Sequence, residues 1–143
     1  MRIIASALAV VALMSGCQTE EDVLTTTTAP DGVSGPAASA IAGDMAARLA
    51  EQIGTTTTIK MREDRSNYAE ALEAALKGWG YAIVKDGTVR QVQKTIAIAY
   101  SLDRVDGQVL ARLTTPSLAL GRAYTATEAG ATPASPLSIM NRD

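Results

Sequence analysis

At 143 residues the chain has room for one domain with tails, long enough to bury a real core and too short for two. It has no histidine and a single cysteine, which removes the usual zinc ligand sets and the Cys/His and Ser/His nucleophile pairs. A formal charge of −2 excludes the basic field that a nucleic-acid binder needs, so no direct nucleic-acid contact is expected.

The N-terminus carries the sharpest signal. Arg2 supplies a short positive region, residues 3–14 form an apolar stretch too short to cross a bilayer, and Met14-Ser15-Gly16-Cys17 reads as a lipobox. Residues 1–16 are then a lipoprotein signal peptide. Cys17 becomes the first residue of the mature chain and the lipidation site, carrying a thioether-linked diacylglycerol and an amide-linked acyl chain such as palmitate. A domain left without cysteine cannot be stapled by disulfides, so its core must stand on packing. Gln18 follows where an aspartate would argue for inner-membrane retention, which points to the outer membrane.

Residues 17–35 contain Glu20, Glu21 and Asp22, a run of threonines from Thr25 to Thr28, then Pro30, Gly32 and Gly35, and read as a lipidated flexible tether. The threonine run reads equally as a strand awaiting a partner. Residues 36–129 read as the single folded domain. Pro36 opens a helix to about Ile53, with Ile41, Met45, Leu49 and Ile53 on a buried stripe and Asp44, Arg48 and Glu51 toward water. Its small residues, including Ala42 and Ala46, pack on the sheet or admit a neighbouring helix. Residues 55–61 follow as a strand with Ile59 and Met61 on one face, and 62–65 as a charged turn.

The next helix, opened by Asn67 and ended by Gly78 and Gly80, organises what comes after it. Asn67 is its expected N-cap, Leu72, Leu76 and Trp79 its buried stripe, and Gly80 its left-handed stop. A strand leaves it at 81–84. Lys85-Asp86-Gly87 reads as a hairpin turn, and 88–94 as a polar segment. Residues 95–102 form a strand presenting Ile96, Ile98, Tyr100 and Leu102 to Leu76 and Trp79. Asp106-Gly107 turns the chain into a strand at 108–115, Pro116 ends it, and 118–127 is the last strand. Residues 130–143 read as a flexible C-terminal tail that holds no core position, with Leu137, Ile139 and Met140 as anchors for a partner. The fold class is α+β, two helices packed on one face of a mainly antiparallel sheet of about four to five strands.

Chemistry is sparse. Asp103 and Asp106 flank Arg104, yet aspartate is a standard turn former, and Glu63 and Asp64 beside Arg62 and Arg65 read the same way. Gly78 and Gly80 lie at a helix C-terminus, the wrong end for an anion. No catalytic residue, cofactor site or metal site is expected.

The lipobox, GPAASAIAGDMAARLAEQIG, ALEAALKGWGYAIV, DGQVLARLTTPSLALGRAYT and GATPASPLSIM, in this order, resemble the conjugal-transfer lipoproteins of the TrbH type over nearly the whole mature chain. That resemblance implies a non-enzymatic outer-membrane lipoprotein of the mating-pair-formation apparatus, a type IV secretion system for plasmid transfer. Its implied partners are the outer membrane, through the lipid anchor, and other ring subunits of the apparatus. Only Cys17 carries over as a functional position. The alternative is a periplasmic peptide- or glycan-binding, chaperone-like lipoprotein.

Overall fold

A computed structural model describes residues 33–85 and 94–142. Helix α1 spans Gly35–Ile53, strand β1 Thr58–Met61, helix α2 Asn67–Gly78 and strand β2 Ala82–Lys85. Then come β3 Thr95–Ala97, β4 Ala99–Val105, β5 Gln108–Thr114, β6 Leu118–Thr127, β7 Gly130–Pro133 and β8 Ser138–Asn141. The class is α+β, as the patterning predicts, but the strands divide into two sheets. A five-stranded antiparallel sheet runs β4-β5-β6-β7, with β8 also on β6, and a three-stranded parallel sheet runs β2-β1-β3.

The helices form where the sequence places them, with capping that differs in detail. Ser34 caps α1, its Oγ accepting from Ala37 N at 3.1 Å, and Pro36 falls within the first turn, where a missing N–H costs nothing. Ser66, not Asn67, caps α2, accepting from Ala69 N at 3.1 Å. Serine and asparagine are near-equal caps, so the choice of register is left to the preceding Asp64, whose Oδ1 accepts from Ser66 N at 2.9 Å.

At its other end α2 closes with a Schellman turn, in which Tyr81 N donates to Leu76 O at 3.2 Å and Gly80 N to Lys77 O at 3.0 Å. Gly80 takes φ 98°, a conformation that a Cβ resists. The turn reverses the chain so that Tyr81 lies over Leu76. Tyr81 is therefore 3% exposed and Trp79, the cap residue, 49%. The expectation that Trp79 packs on the sheet is thereby corrected: its helical phase is right, but the helix stops before it reaches the core.

Strands β1 and β2 pair in parallel, Thr58 with Ala82 through Met61 with Lys85, with α2 as the crossover between them. Strand β3 pairs in parallel with the other edge of β1. Strands β2 and β3 lie on opposite edges of β1 and are not paired with each other; Asp86, Gly87 and 88–93 lie outside the described residues. The single strand expected at 95–102 bends at Ile98, where β3 ends and β4 begins, so one continuous stretch serves both sheets. Ile96 accordingly sides with the parallel sheet and is only half-buried, while Ile98, Tyr100 and Leu102 are buried.

The antiparallel sheet follows the turn signals closely. Asp106 (φ 50°) and Gly107 (φ 78°) make the two-residue turn between β4 and β5, both in the left-handed region that matches strand twist. Strand β5 stops two residues before Pro116, and β6 has the bounds expected of it.

The chain after Gly130 departs from expectation. The composition of residues 130–143 predicts a flexible tail, whereas β7 pairs with Tyr124–Thr127 and β8 with Leu118–Gly121, both antiparallel and along the same edge of β6. The two are one long returning strand interrupted by an excursion at 134–137, where Pro136 cannot donate to the ladder. Leu137 packs on the core, so the folded domain runs from α1 through β8 rather than ending at residue 129. The sequence hides this strand because only Leu137, Ile139 and Met140 are large and apolar in it.

The core is a single cluster. Ala38, Ile41, Ala42, Met45 and Leu49 of α1 and Tyr68, Leu72 and Leu76 of α2 meet Tyr100, Leu102, Val109, Leu113, Leu120 and Tyr124 of the sheet. The alanine stripe of α1 serves both readings, since α1 packs on α2 and also across β5, β6 and β7.

Candidate functional site

Polar side chains inside the domain serve as joints. Asp44, expected to face water, lies on the side of α1 that meets β6. Its Oδ2 accepts from Tyr124 Oη at 2.6 Å and from Arg122 Nη1 at 3.0 Å, and its Oδ1 lies 3.7 Å from Arg48 Nε. Arg122 Nε donates to Ser135 O at 3.0 Å, and Ser135 Oγ accepts from Ala123 N at 2.9 Å. One carboxylate thus ties α1 to β6 and to the excursion between β7 and β8. Burial, then the bond to Asp44, pushes the Tyr124 phenol above its ordinary range, so it keeps its proton and acts as a fixed donor.

A second joint holds the start of α2. Asp64 Oδ2 accepts from Ser66 Oγ and from Tyr100 Oη, each at 3.1 Å. The Tyr100 ring meets Tyr68 edge-on at 5.8 Å. The Tyr68 hydroxyl has no partner among the described residues, and burial, then the neighbouring Tyr100, raises its pKa. Asp64 is therefore a structural acceptor rather than a solvated turn residue. Of the other acidic pair, Asp103 lies in β4 and Asp106 in the turn, so the turn-former reading holds for Asp106. Among the described residues no group of acidic, cysteine or histidine side chains could hold a metal.

Two surfaces among the described residues are of interest for a partner. Strand β8 is an edge whose Ile139 and Met140 are 46% and 61% exposed. Arg142 N donates to Ser117 O at 2.8 Å, so by antiparallel alternation Met140 and Ser138 turn their backbone groups to β6, and Ile139 and Asn141 turn theirs outward. The other is the face of the antiparallel sheet that carries no helix. A groove of about 600 Å³ crosses it, through Ser101, Arg112, Gly121 and Ser138, which lie side by side on neighbouring strands. The sequence carried the signal for it: Ala119, Gly121 and Ala123 alternate with Leu120, Arg122 and Tyr124, a strand with one large face and one small. Cys17, the predicted lipidation site, lies outside the described residues. No helix among the described residues is long and apolar enough to cross a membrane.

Comparison with known proteins bears on what such a domain serves. The model of the family "Conjugal transfer protein TrbH" matches residues 19–143. A "Probable conjugal transfer protein TrbH" of Sinorhizobium fredii (strain NBRC 101917 / NGR234) is 64% identical over 148 residues, covering the whole of both chains. No solved structure matches. The match begins in the residues ahead of α1 and runs through β8, so it spans the whole described fold, and the chain belongs to the TrbH family of conjugal transfer proteins.

Proposed function

We propose that this TrbH-family protein is an outer-membrane lipoprotein, anchored through acylated Cys17 with its domain facing the periplasm, and a structural component of the conjugative type IV secretion apparatus. Family membership supports a role in conjugative transfer and carries the reading; the lipobox at residues 14–17 supplies the anchor. The domain suits assembly more than turnover. Its interior carboxylates Asp44 and Asp64 and the phenols of Tyr124 and Tyr100 are used up in joints, while it offers partners an apolar edge strand, β8, of the kind that a neighbouring subunit covers by strand addition. Ring subunits of the apparatus are the partners this reading names, and the lipid is needed to hold the domain among them. Two acyl attachments give stable anchoring that one chain does not.

The test is complementation of a null strain with wild-type and Cys17→Ser protein, combined with metabolic labelling by a fatty-acid analogue. Labelled wild type in the outer membrane, an unlabelled variant and a fall in plasmid transfer are expected. Label retained on Cys17→Ser defeats the anchor, and transfer that does not need the protein defeats the assembly role.

A further inference from the structure

The groove on the outer face of the antiparallel sheet has features that a solvated sheet surface does not require. The Arg112 side chain stands in the middle of it with no ion pair or hydrogen bond among the described residues, flanked across the strands by Ser101 and Gly121. Gly121 is a mid-strand glycine without positive φ, and a Cβ there would meet only Ala111 O, at 3.9 Å. Neither backbone conformation nor crowding calls for glycine, which weakens a strand; such glycines occur where another chain approaches closely. At one end Arg142 adds a second guanidinium, its Nη1 donating to Thr115 O at 3.1 Å. Asp103 also lines the groove, leaving a net charge of one positive unit.

We infer that the groove holds the acidic segment Glu20-Glu21-Asp22 of the same chain, its carboxylates on Arg112 and its backbone over Gly121. Charge complementarity and reach both favour this occupant. Ser34 Oγ donates to Thr127 O at 3.1 Å, which fixes the start of the described chain beside the far end of β6. Gly121 lies about 20 Å back along that strand at ~3.3 Å per residue. The stretch from Asp22 to Val33 has an r.m.s. span of about 17–20 Å as a flexible coil and reaches about 36 Å when extended. A linker whose mean span matches the distance gives an effective concentration of about millimolar, enough to populate contacts too weak to hold a free peptide. With Cys17 in lipid, docking turns the outer face toward the membrane and leaves both helices facing away; this consequence rests on the lipid anchor, whereas the docking does not.

The test uses unlipidated residues 17–143 with a nitroxide on Cys17, the chain's sole cysteine, three residues from Glu20. Amide signals are read by NMR against the reduced label. Docking predicts that Ser101, Arg112, Gly121 and Ser138 lose most of their intensity and that α1 and α2 keep theirs. Arg112→Glu and Gly121→Leu, both on the open face, should each restore the lost signals. Adding Glu20→Lys, Glu21→Lys and Asp22→Lys to Arg112→Glu should remove them again. Uniform intensities, or losses centred on the helices, overturn the proposal. So do losses that persist when labelled chains are mixed with isotope-enriched unlabelled ones, because the occupant is then a second copy.

Discussion

The two faces of the antiparallel sheet are built from the same strands and differ in nearly every residue. The inner face carries Tyr100, Leu102, Val109, Leu113, Leu120 and Tyr124, all buried beneath the helices. The outer face carries Ser101, Arg112, Ala119 and Gly121 at the alternate positions and is left open. A strand's side chains alternate between faces, so a single sequence writes both surfaces without compromise between them. Stability is therefore concentrated on one side, and the other is free to vary with whatever docks there.

That contrast can be broken from the C-terminus first. Removing residues 135–143 takes away β8 and the Leu137 contact and uncovers the edge of β6, so stability should fall by more than any single core truncation. Urea melts of the soluble domain measure it. An unchanged melt would restore the view of this segment as a tail. Next in size, Leu49→Ala or Leu76→Ala on the inner side should cost about 2–5 kcal/mol, while Arg112→Ala on the outer face should stay within about 0.5 kcal/mol. Equal costs on the two sides would contradict the asymmetry.

Two tyrosines sharpen it further within the core. Tyr124→Phe removes one of the two donors to Asp44 Oδ2, leaving Arg122, and should cost about 1–3 kcal/mol, whereas Tyr68→Phe removes a hydroxyl with no partner among the described residues and should be close to neutral. Thermal melts of the pair decide, and a reversed order would sink the assignment of Asp44 as a joint.

The smallest effect lies on the surface. Burial alone would raise the Glu73 pKa, but hydrogen bonds from Lys85 and Lys77, at 3.1 and 3.2 Å, outweigh it and hold the carboxyl below its ordinary value of 4.5. A lowered folded-state pKa stabilises the fold above the unfolded-state value and loses that contribution as pH falls through the folded-state value. Glu73→Gln should therefore lower stability by less than about 1 kcal/mol at neutral pH. It should also flatten the acid limb of the stability curve below about pH 4.5, followed by urea midpoints across pH. An acid limb as steep as wild type would assign that slope to other carboxylates.

Local chemistry alone determined a good part of this protein. The spacing of Ile41, Met45 and Leu49, and of Leu72 and Leu76, specifies two helices and their buried stripes; Asp106-Gly107 specifies a turn that few other residues tolerate; Pro116 separates β5 from β6; and residues 14–17 carry a motif read without any fold. Tertiary structure decided the rest. Whether 95–102 is one strand or a bend serving two sheets depends on β1, some 35 residues earlier, which offers an edge to one half of it. Tyr81 replaced Trp79 in the core because a C-terminal turn, not helical phase, sets which of them faces inward. Asp44 became a joint only because β6 brings Arg122 and Tyr124 to it from some 80 residues away. Residues 130–133 and 138–141 became strands because β6 had a free edge, a property of the sheet and not of the segment. For the bend at Ile98 and for Asp44 the deciding partner is distant in sequence, and hydrophobic period and turn chemistry describe only neighbours.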